Sequence, residues 1–208
     1  MTRGEPQLRE LDEHHVHADP IRQFQEWYDE AIAAGIPQCD AMTLATASAD
    51  GVPSARIVLL KKADENGFVF YTNYQSRKGR ELDSNPRAAL VFFWAGHNRS
   101  VRIEGTVGRV SASESGAYFA TRPRDGQLSS LTSNQSDEVG NRATLDETFD
   151  ALKKRFEGKP IPRPDYWGGY RLKPARIEFW QARFARLNDR VEYTLQPDGL
   201  WKKRRLQP

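Results

Sequence analysis

The chain has 208 residues, of which 38% are hydrophobic, 28% charged and 11% aromatic, which is ordinary for one soluble globular domain and short for two. The net charge of +3 permits a nucleic-acid partner without arguing for one. A single cysteine, Cys39, excludes an internal disulfide and a cysteine-based zinc site, and it fits a reducing cytoplasm.

Residues 1–18 are polar and carry three of the four histidines, so we expect a flexible N-terminal arm. The N-terminus lacks a signal-peptide core, and no apolar run nears the roughly 20 residues that cross a bilayer. We therefore expect a cytoplasmic protein. His15 and His17 form a His-x-His pair, but no third ligand lies nearby in the sequence, and we expect no metal site.

A helix is predicted directly after the arm, because Asp19 and Pro20 form a typical N-cap and first-turn pair. From Ala41 the apolar period falls to two, which is typical of strands. The predicted strands are 41–47, 52–62, 68–73, 88–94, 100–109, 167–172, 176–181, 191–195 and 200–206. Short Asp-Gly and Asn-Gly turns join several of them.

Three further helices are predicted beside these strands. Ser76 caps a short one, and capping boxes at Ser111–Glu114 and Thr144–Glu147 open two more, with a polar loop over 122–142 between them. Strands joined by short turns imply an antiparallel sheet, and so many strands favour closure into a barrel, because closure removes exposed edges. We predict a single α+β domain over residues 19–208, a small antiparallel barrel with peripheral helices.

Four cations lie close together in sequence between residues 56 and 78. Arg56 and Lys61 belong to an apolar strand, while Arg77 and Lys78 follow Ser76 at a helix start, where free N–H groups can cradle a phosphate. Each cation alone could be a solvated surface charge. The four together predict a phosphorylated ligand.

Other chemistry is sparse. Arg122-Pro-Arg124, and the arginines after Trp180, fit either surface charge or a ligand site, and Trp180 fits either the core or the edge of a flat ligand. His97 is the only histidine beyond the arm, which disfavours Ser-His-Asp and Cys-His hydrolases. No Walker loop or dinucleotide glycine pattern occurs. An enzyme with this composition needs a cofactor for the difficult step.

From about Asp19 to Pro208 the chain resembles the pyridoxine/pyridoxamine 5′-phosphate oxidase family. The motifs that carry the resemblance are Arg56-Ile-Val-Leu-Leu-Lys61, Phe70-Tyr-Thr-Asn73, Ser76-Arg-Lys78, Tyr118-Phe-x-x-Arg122-Pro-Arg-Asp125, Gln135-Ser136, Trp167-Gly-Gly-Tyr170, Glu178-Phe-Trp-Gln181, Arg186-Leu-x-Asp-Arg190 and Arg205-Leu-Gln-Pro208. The resemblance implies an FMN-binding split barrel and a homodimer with FMN at the subunit interface. It also implies oxidation of pyridoxamine or pyridoxine 5′-phosphate to pyridoxal 5′-phosphate, with hydride transfer from C4′ to flavin N5 and reoxidation by O2 to give H2O2.

The resemblance also implies residue roles. The FMN ligands would be Arg56, Ile57, Val58, Leu59, Leu60, Lys61, Tyr71, Thr72, Arg77, Lys78, Ser100, Gln135, Ser136, Trp180 and Arg190. The substrate contacts would be Lys61, Tyr118, Arg122, Gly126, Arg186 and Asn188. Lys61 and Arg186 would be the catalytic residues, acting by positioning and by stabilising charge.

Three positions depart from the family pattern. Asn188 stands where histidine is usual, Gly126 where a serine usually touches the substrate phosphate, and Ser100 where glutamine often contacts flavin. These departures leave open a split-barrel oxidase of the same family that acts on another substrate, such as a phenazine precursor. A non-catalytic flavin-binding barrel is a further alternative.

Overall fold

A computed structural model describes residues 10–208, so predictions for the first nine residues lie outside it. The helices are α1 Pro20–Ala33, α2 Arg77–Ser84, α3 Ala112–Thr121, α4 Arg124–Thr132 and α5 Arg142–Arg155. The strands are β1 Ala41–Ala47, β2 Pro53–Leu59, β3 Lys62–Asp64, β4 Gly67–Asn73, β5 Arg87–Trp94, β6 Arg99–Arg109, β7 Trp167–Gln181, β8 Asp189–Leu195 and β9 Trp201–Arg205. Within residues 10–208, no helix is both long and apolar enough to cross a membrane.

The described strands form one antiparallel sheet in the order β2-β1-β5-β6-β7-β4-β3, with β8 and β9 attached through β7. Strands β2 and β3 are the two ends of this strand order, where β2 pairs with β1 and β3 pairs with β4. They are consecutive in sequence, so the short segment between them connects the two ends. One edge of β7 pairs with β6, and the other pairs first with β4 and then with β8. The predicted α+β split barrel is confirmed.

Helix α1 closes the barrel's apolar interior. Asp19 caps it by accepting a hydrogen bond from the Ile21 N–H at 2.8 Å, as predicted. Phe24 is fully buried, and its ring centroid lies 4.9 Å from that of Phe68 and 5.0 Å from that of Phe92. These contacts join the helix to β4 and β5 through aromatic packing.

Two strand predictions were wrong. The predicted strand over 52–62 is broken between β2 and β3, because the chain changes partner there: the Leu60 N–H donates to Asp40, and the Lys61 N–H donates to Val69 at 2.8 Å. The two strands predicted within 167–181 are a single strand, β7, despite Pro174. Its pairing with β6 shifts register between Glu104 and Gly105, and this bulge accommodates the proline.

Two helix predictions also differ. The predicted polar loop over 122–142 contains α4, which begins directly after Pro123. Helix α5 starts two residues before the predicted capping box, because the Asn141 side chain accepts the Thr144 N–H at 3.0 Å. Asparagine is a strong N-cap residue, and here it takes the role that the Thr144–Glu147 pattern suggested for threonine.

Residues 10–18 pack against the C-terminal strands. Leu11 is buried, the Tyr193 hydroxyl donates to the His17 carbonyl at 2.7 Å, and Arg205 pairs with Glu13 at 2.7 Å. The described part of the predicted arm is therefore anchored to the domain.

Among residues 10–208, no three His, Cys, Asp or Glu side chains are grouped so as to hold a metal ion.

Replacing Phe24 by alanine should lower the free energy of unfolding by about 3–5 kcal/mol, since it leaves a cavity among buried aromatic rings. Chemical denaturation measures this directly. Ile32→Ala is the matched control, because Ile32 lies on the same helix with 52% of its surface exposed, and it should change stability by less than about 0.5 kcal/mol. Equal effects would show that α1 does not pack as described.

Candidate functional site

A cavity of about 840 Å³ is lined by β2, β4, the start of α2, and the helices α3 and α4. Most of the predicted site residues line it, namely Arg56, Ile57, Val58, Leu59, Lys61, Tyr71, Thr72, Arg77, Lys78, Tyr118, Arg122, Gln135 and Ser136. The fold thus gathers side chains from residue 56 to residue 136 around one space.

One part of the cavity is the N-terminus of α2. The Arg77 N–H donates to Ser136 Oγ at 3.1 Å, and Lys78 Nζ donates to Gln135 Oε1 at 2.9 Å and to Thr72 Oγ1 at 3.2 Å. A Cβ at Gly79 would lie 1.9 Å from the Tyr74 carbonyl oxygen, so only glycine lets the helix start this close to β4. Helix N–H groups beside two cations suit a dianion.

Burial changes the acid–base behaviour of Lys78. Desolvation, reinforced by the nearby Arg56 charge, lowers the pKa of the Lys78 ammonium to about 8. Its hydrogen-bond partners are neutral groups on Thr72, Ser76 and Gln135. A bound anion beside it would therefore raise this pKa and stabilise the charged form.

Glu81 belongs to the same group of charges, and the sequence analysis missed it. Its Oε2 accepts from Ser54 Oγ at 2.7 Å and from Arg56 Nη2 at 3.1 Å, and its Oε1 accepts from Arg77 Nε at 2.9 Å. Burial alone would raise the pKa of this carboxyl, but hydrogen bonds from Thr46, Ser54, Arg77 and Arg56 outweigh burial and lower it to about 2. The i,i+4 spacing of Arg77 and Glu81 on α2 was the available sequence signal.

A second group of cations borders an aromatic wall. The Tyr71 ring stacks on Tyr118 with centroids 3.9 Å apart and on Trp167 at 5.5 Å. The Arg122 guanidinium lies 4.6 Å from the Trp167 ring centroid and donates to Ser130 Oγ. Lys61 Nζ pairs with Asp40 at 3.0 Å.

Two predicted residues near the cavity do not line it. A Cβ at Gly126 would lie 3.4 Å from Arg122 Nη2, so a side chain at this position would touch that guanidinium. Leu60 points into the barrel core and is only 5% exposed. Its side chain therefore contributes packing, and its neighbours Leu59 and Lys61 line the cavity instead.

The other predicted site residues lie elsewhere on the chain. Ser100 and Trp180 line a separate cleft of about 330 Å³ on the outer face of the sheet, next to Phe93. Arg190 Nε donates to Glu178 at 2.7 Å on the same face. Within one chain, these residues do not line the larger cavity.

Arg186 and Asn188 lie in the turn that follows β7. Asn188 Oδ1 accepts the Arg183 N–H at 3.0 Å, which closes the turn. Ala185 and Arg186 have φ values of 57° and 62°. Two successive left-handed residues without glycine are a strained arrangement of the kind found at functional turns.

Two family models match the chain. The model described as pyridoxamine 5′-phosphate oxidase matches residues 28–156, and the model described as the pyridoxine 5′-phosphate oxidase C-terminal dimerisation region matches residues 167–208. The first spans the cavity residues from β2 to Ser136. The second contains Trp180, Arg186, Asn188 and Arg190.

Individual proteins agree with these matches. The chain is 55% identical to a pyridoxine/pyridoxamine 5′-phosphate oxidase of Rubrobacter xylanophilus, over 95% of this chain and 91% of that protein. It is 51% identical to the protein of the same name in Trichormus variabilis, over 97% and 94% of the two chains. The structure of PhzG from Burkholderia lata, in complex with tetrahydrophenazine-1-carboxylic acid, superposes with a TM-score of 0.92 at 31% identity, over 99% of this chain and 100% of that one.

Inorganic phosphate should stabilise the protein through the α2 N-terminus. At ten times its dissociation constant it should add about 1.4 kcal/mol to the free energy of unfolding, or roughly 4 °C in melting temperature. Thermal unfolding in phosphate and in chloride of equal ionic strength measures the difference.

Arg77→Ala should remove most of this stabilisation, because Arg77 lines the cavity. Arg80→Ala is the matched control on the same helix: the two side chains are 60% and 58% exposed, and only Arg77 lines the cavity. An equal loss in both variants would indicate general surface electrostatics instead of a site.

Proposed function

The chain belongs to the pyridoxamine 5′-phosphate oxidase family, and we propose that it is an FMN-dependent oxidase that converts pyridoxamine or pyridoxine 5′-phosphate into pyridoxal 5′-phosphate. The observation that carries this proposal is the pair of cationic groups in one cavity. Arg77 and Lys78 form one group, and Lys61 and Arg122 form the other. A flavin phosphate and a substrate phosphate each require such a group.

The α2 group fits the phosphate of FMN. Three cations, Arg56, Arg77 and Lys78, face one carboxylate, Glu81, so the group carries two net positive charges with Lys78 protonated. Thr72, Gln135 and Ser136 add neutral hydrogen-bonding groups. The side chains of Ile57 and Leu59, 64% and 42% exposed, offer an apolar surface to a flat ring system.

The second group fits the phosphate of the substrate. Arg122, oriented by Ser130 and the Trp167 ring, would hold that phosphate together with Lys61 and Tyr118. Bound FMN would supply the chemistry, by accepting a hydride from the substrate carbon and passing electrons to oxygen. The protein's own contribution is alignment, since fixing the phosphate fixes the distance from the reacting carbon to the flavin.

The residues outside the cavity fit a homodimer. The dimerisation match covers the turn with Arg186 and Asn188 and the cleft residue Trp180. Phe93, beside that cleft, is 63% exposed and offers an apolar surface that a second subunit could cover. We therefore assign Ser100, Trp180, Arg186, Asn188 and Arg190 to the site in trans, with FMN between the two subunits.

A second candidate substrate has support from one comparison. The PhzG structure, at a TM-score of 0.92, was solved with a tetrahydrophenazine carboxylic acid. Asn188 and Gly126, two of the departures noted above, would lie on the substrate side of the proposed site. Relatives that are more than 50% identical to this chain are named pyridoxine/pyridoxamine 5′-phosphate oxidase, so we place the phenazine alternative second.

The first test is anaerobic mixing of the FMN-loaded protein with pyridoxamine 5′-phosphate. We expect the visible flavin absorbance to bleach, and to recover with formation of pyridoxal 5′-phosphate when air is admitted. Arg122→Ala should raise KM by about 10- to 100-fold, because it removes one of the two cations proposed to hold the phosphate and leaves only Lys61. A flavin band that persists with this substrate but bleaches with tetrahydrophenazine-1-carboxylate would support the second candidate.

FMN affinity should fall as pH rises above about 8, because Lys78 has a pKa near 8 in the free protein and must be protonated to pair with the phosphate. Below pH 8 the lysine is already charged, and binding needs no proton uptake. Above it, each pH unit should cost up to about tenfold in affinity until the raised pKa of the complex is reached. Dissociation constants of FMN and riboflavin from pH 7 to 9.5 measure this, with Lys78→Met expected to abolish the FMN-specific slope. A similar slope for riboflavin would contradict the assignment.

A further inference from the structure

We propose that Glu81 is a positioning residue that makes the α2 subsite select FMN over unphosphorylated riboflavin. It acts through Arg77, which it orients toward the cavity, and does not itself touch the ligand. The inference rests on the proposed function, because it takes the α2 N-terminus as the place where the flavin phosphate binds.

Arg77 needs such a partner. Its side chain is 60% exposed, and an untethered arginine at that exposure samples many rotamers. The single hydrogen bond from Arg77 Nε to Glu81, at 2.9 Å, fixes the base of the guanidinium. Both terminal nitrogens are then left for a ligand, and they form the fork geometry that suits a phosphate.

The barrel, in turn, holds Glu81. Its carboxylate is 8% exposed and accepts hydroxyl hydrogens from Thr46 on β1 and Ser54 on β2. Arg56 Nη2 donates to it at 3.1 Å, while the Arg56 terminal nitrogens also donate to Leu44, Thr46 and Ser54. Arg56 is thus largely occupied by protein acceptors, and it anchors the carboxylate instead of pointing freely into the cavity.

Glu81 also has an opposite electrostatic effect, since a carboxylate near a phosphate repels it. Removing its charge would raise the net charge of the group formed by Arg56, Arg77, Lys78 and Glu81 from +2 to +3. The geometry favours ordering as the larger effect, because Arg56 already compensates the Glu81 charge and donates to the barrel. The two effects predict opposite changes in FMN affinity, so one measurement separates them.

The experiment compares the dissociation constants of FMN and riboflavin, by quenching of flavin fluorescence, for the full-length protein and for Glu81→Gln. We expect the FMN-to-riboflavin affinity ratio to fall about fivefold, the scale of ordering one long side chain on binding, with riboflavin affinity unchanged. Asp83→Asn is the matched control. Asp83 lies on the same helix, and its carboxylate pairs with Arg109 at 2.7 Å. Asp83 does not line the cavity, so its removal should leave the affinity ratio unchanged.

Glu81→Gln combined with Arg77→Ala tests whether Glu81 acts through Arg77. If Glu81 acts through Arg77, Glu81→Gln should cause no further fall in the ratio there. A ratio that stays constant or rises, an equal loss of both flavins, or a further fall in the Arg77→Ala background would each overturn the proposal. If Glu81→Gln does not fold, Glu81→Asp should keep the charge, shorten the tether and give a partial fall.

Failure of the proposed function would look different. A wild-type protein that binds FMN in preference to riboflavin but does not oxidise pyridoxamine 5′-phosphate would contradict the proposed reaction. It would not contradict the proposed role of Glu81. A wild-type protein without any preference for FMN would overturn the role of Glu81.

Discussion

The architecture depends on β7 being paired along both edges. One edge pairs with β6 from Tyr170 to Gln181, while the other passes from β4 to β8, with the changeover near Pro174. Strand β4 carries Tyr71 and Thr72 into the cavity, and β8 carries Arg190 onto the outer face. A single strand is therefore the pairing partner of strands that contribute to both surfaces of the proposed site.

Charge compensation is the second constraint. Cations brought together in a partly buried space repel one another and lose hydration. Glu81 offsets Arg56 and Arg77, and Asp40 offsets Lys61. The hydrogen-bond partners of Lys78 are neutral, and its burial, reinforced by the nearby Arg56 charge, lowers its pKa. An anion bound beside Lys78 would offset these costs, which is consistent with the proposed phosphorylated ligand.

A single chain carries the proposed site in two parts. The cavity holds most of the predicted residues between β2 and Ser136, while Ser100 on β6 and the C-terminal residues Trp180, Arg186, Asn188 and Arg190 lie outside it. The dimerisation match over 167–208 falls on that second part. Dimerisation and flavin binding are therefore expected to be coupled, because each subunit would complete the other's site.

The sequence by itself determined the barrel class and the α1 and α2 caps at Asp19 and Ser76, and it predicted a phosphate site at Arg77 and Lys78. Period-two patterning, cap chemistry and turn residues are local signals, and they need no knowledge of distant neighbours. The family motifs then supplied the set of site residues that the cavity largely brings together.

Only the tertiary structure decided which of these residues meet. The break between β2 and β3 and the continuity of β7 depend on strand partners far away in sequence, and local patterns do not encode them. The role of Glu81 was hidden for the same reason. As a helix residue it reads as one end of a surface ion pair with Arg77, and only the approach of β1 and β2 turns it into a buried carboxylate that organises the site.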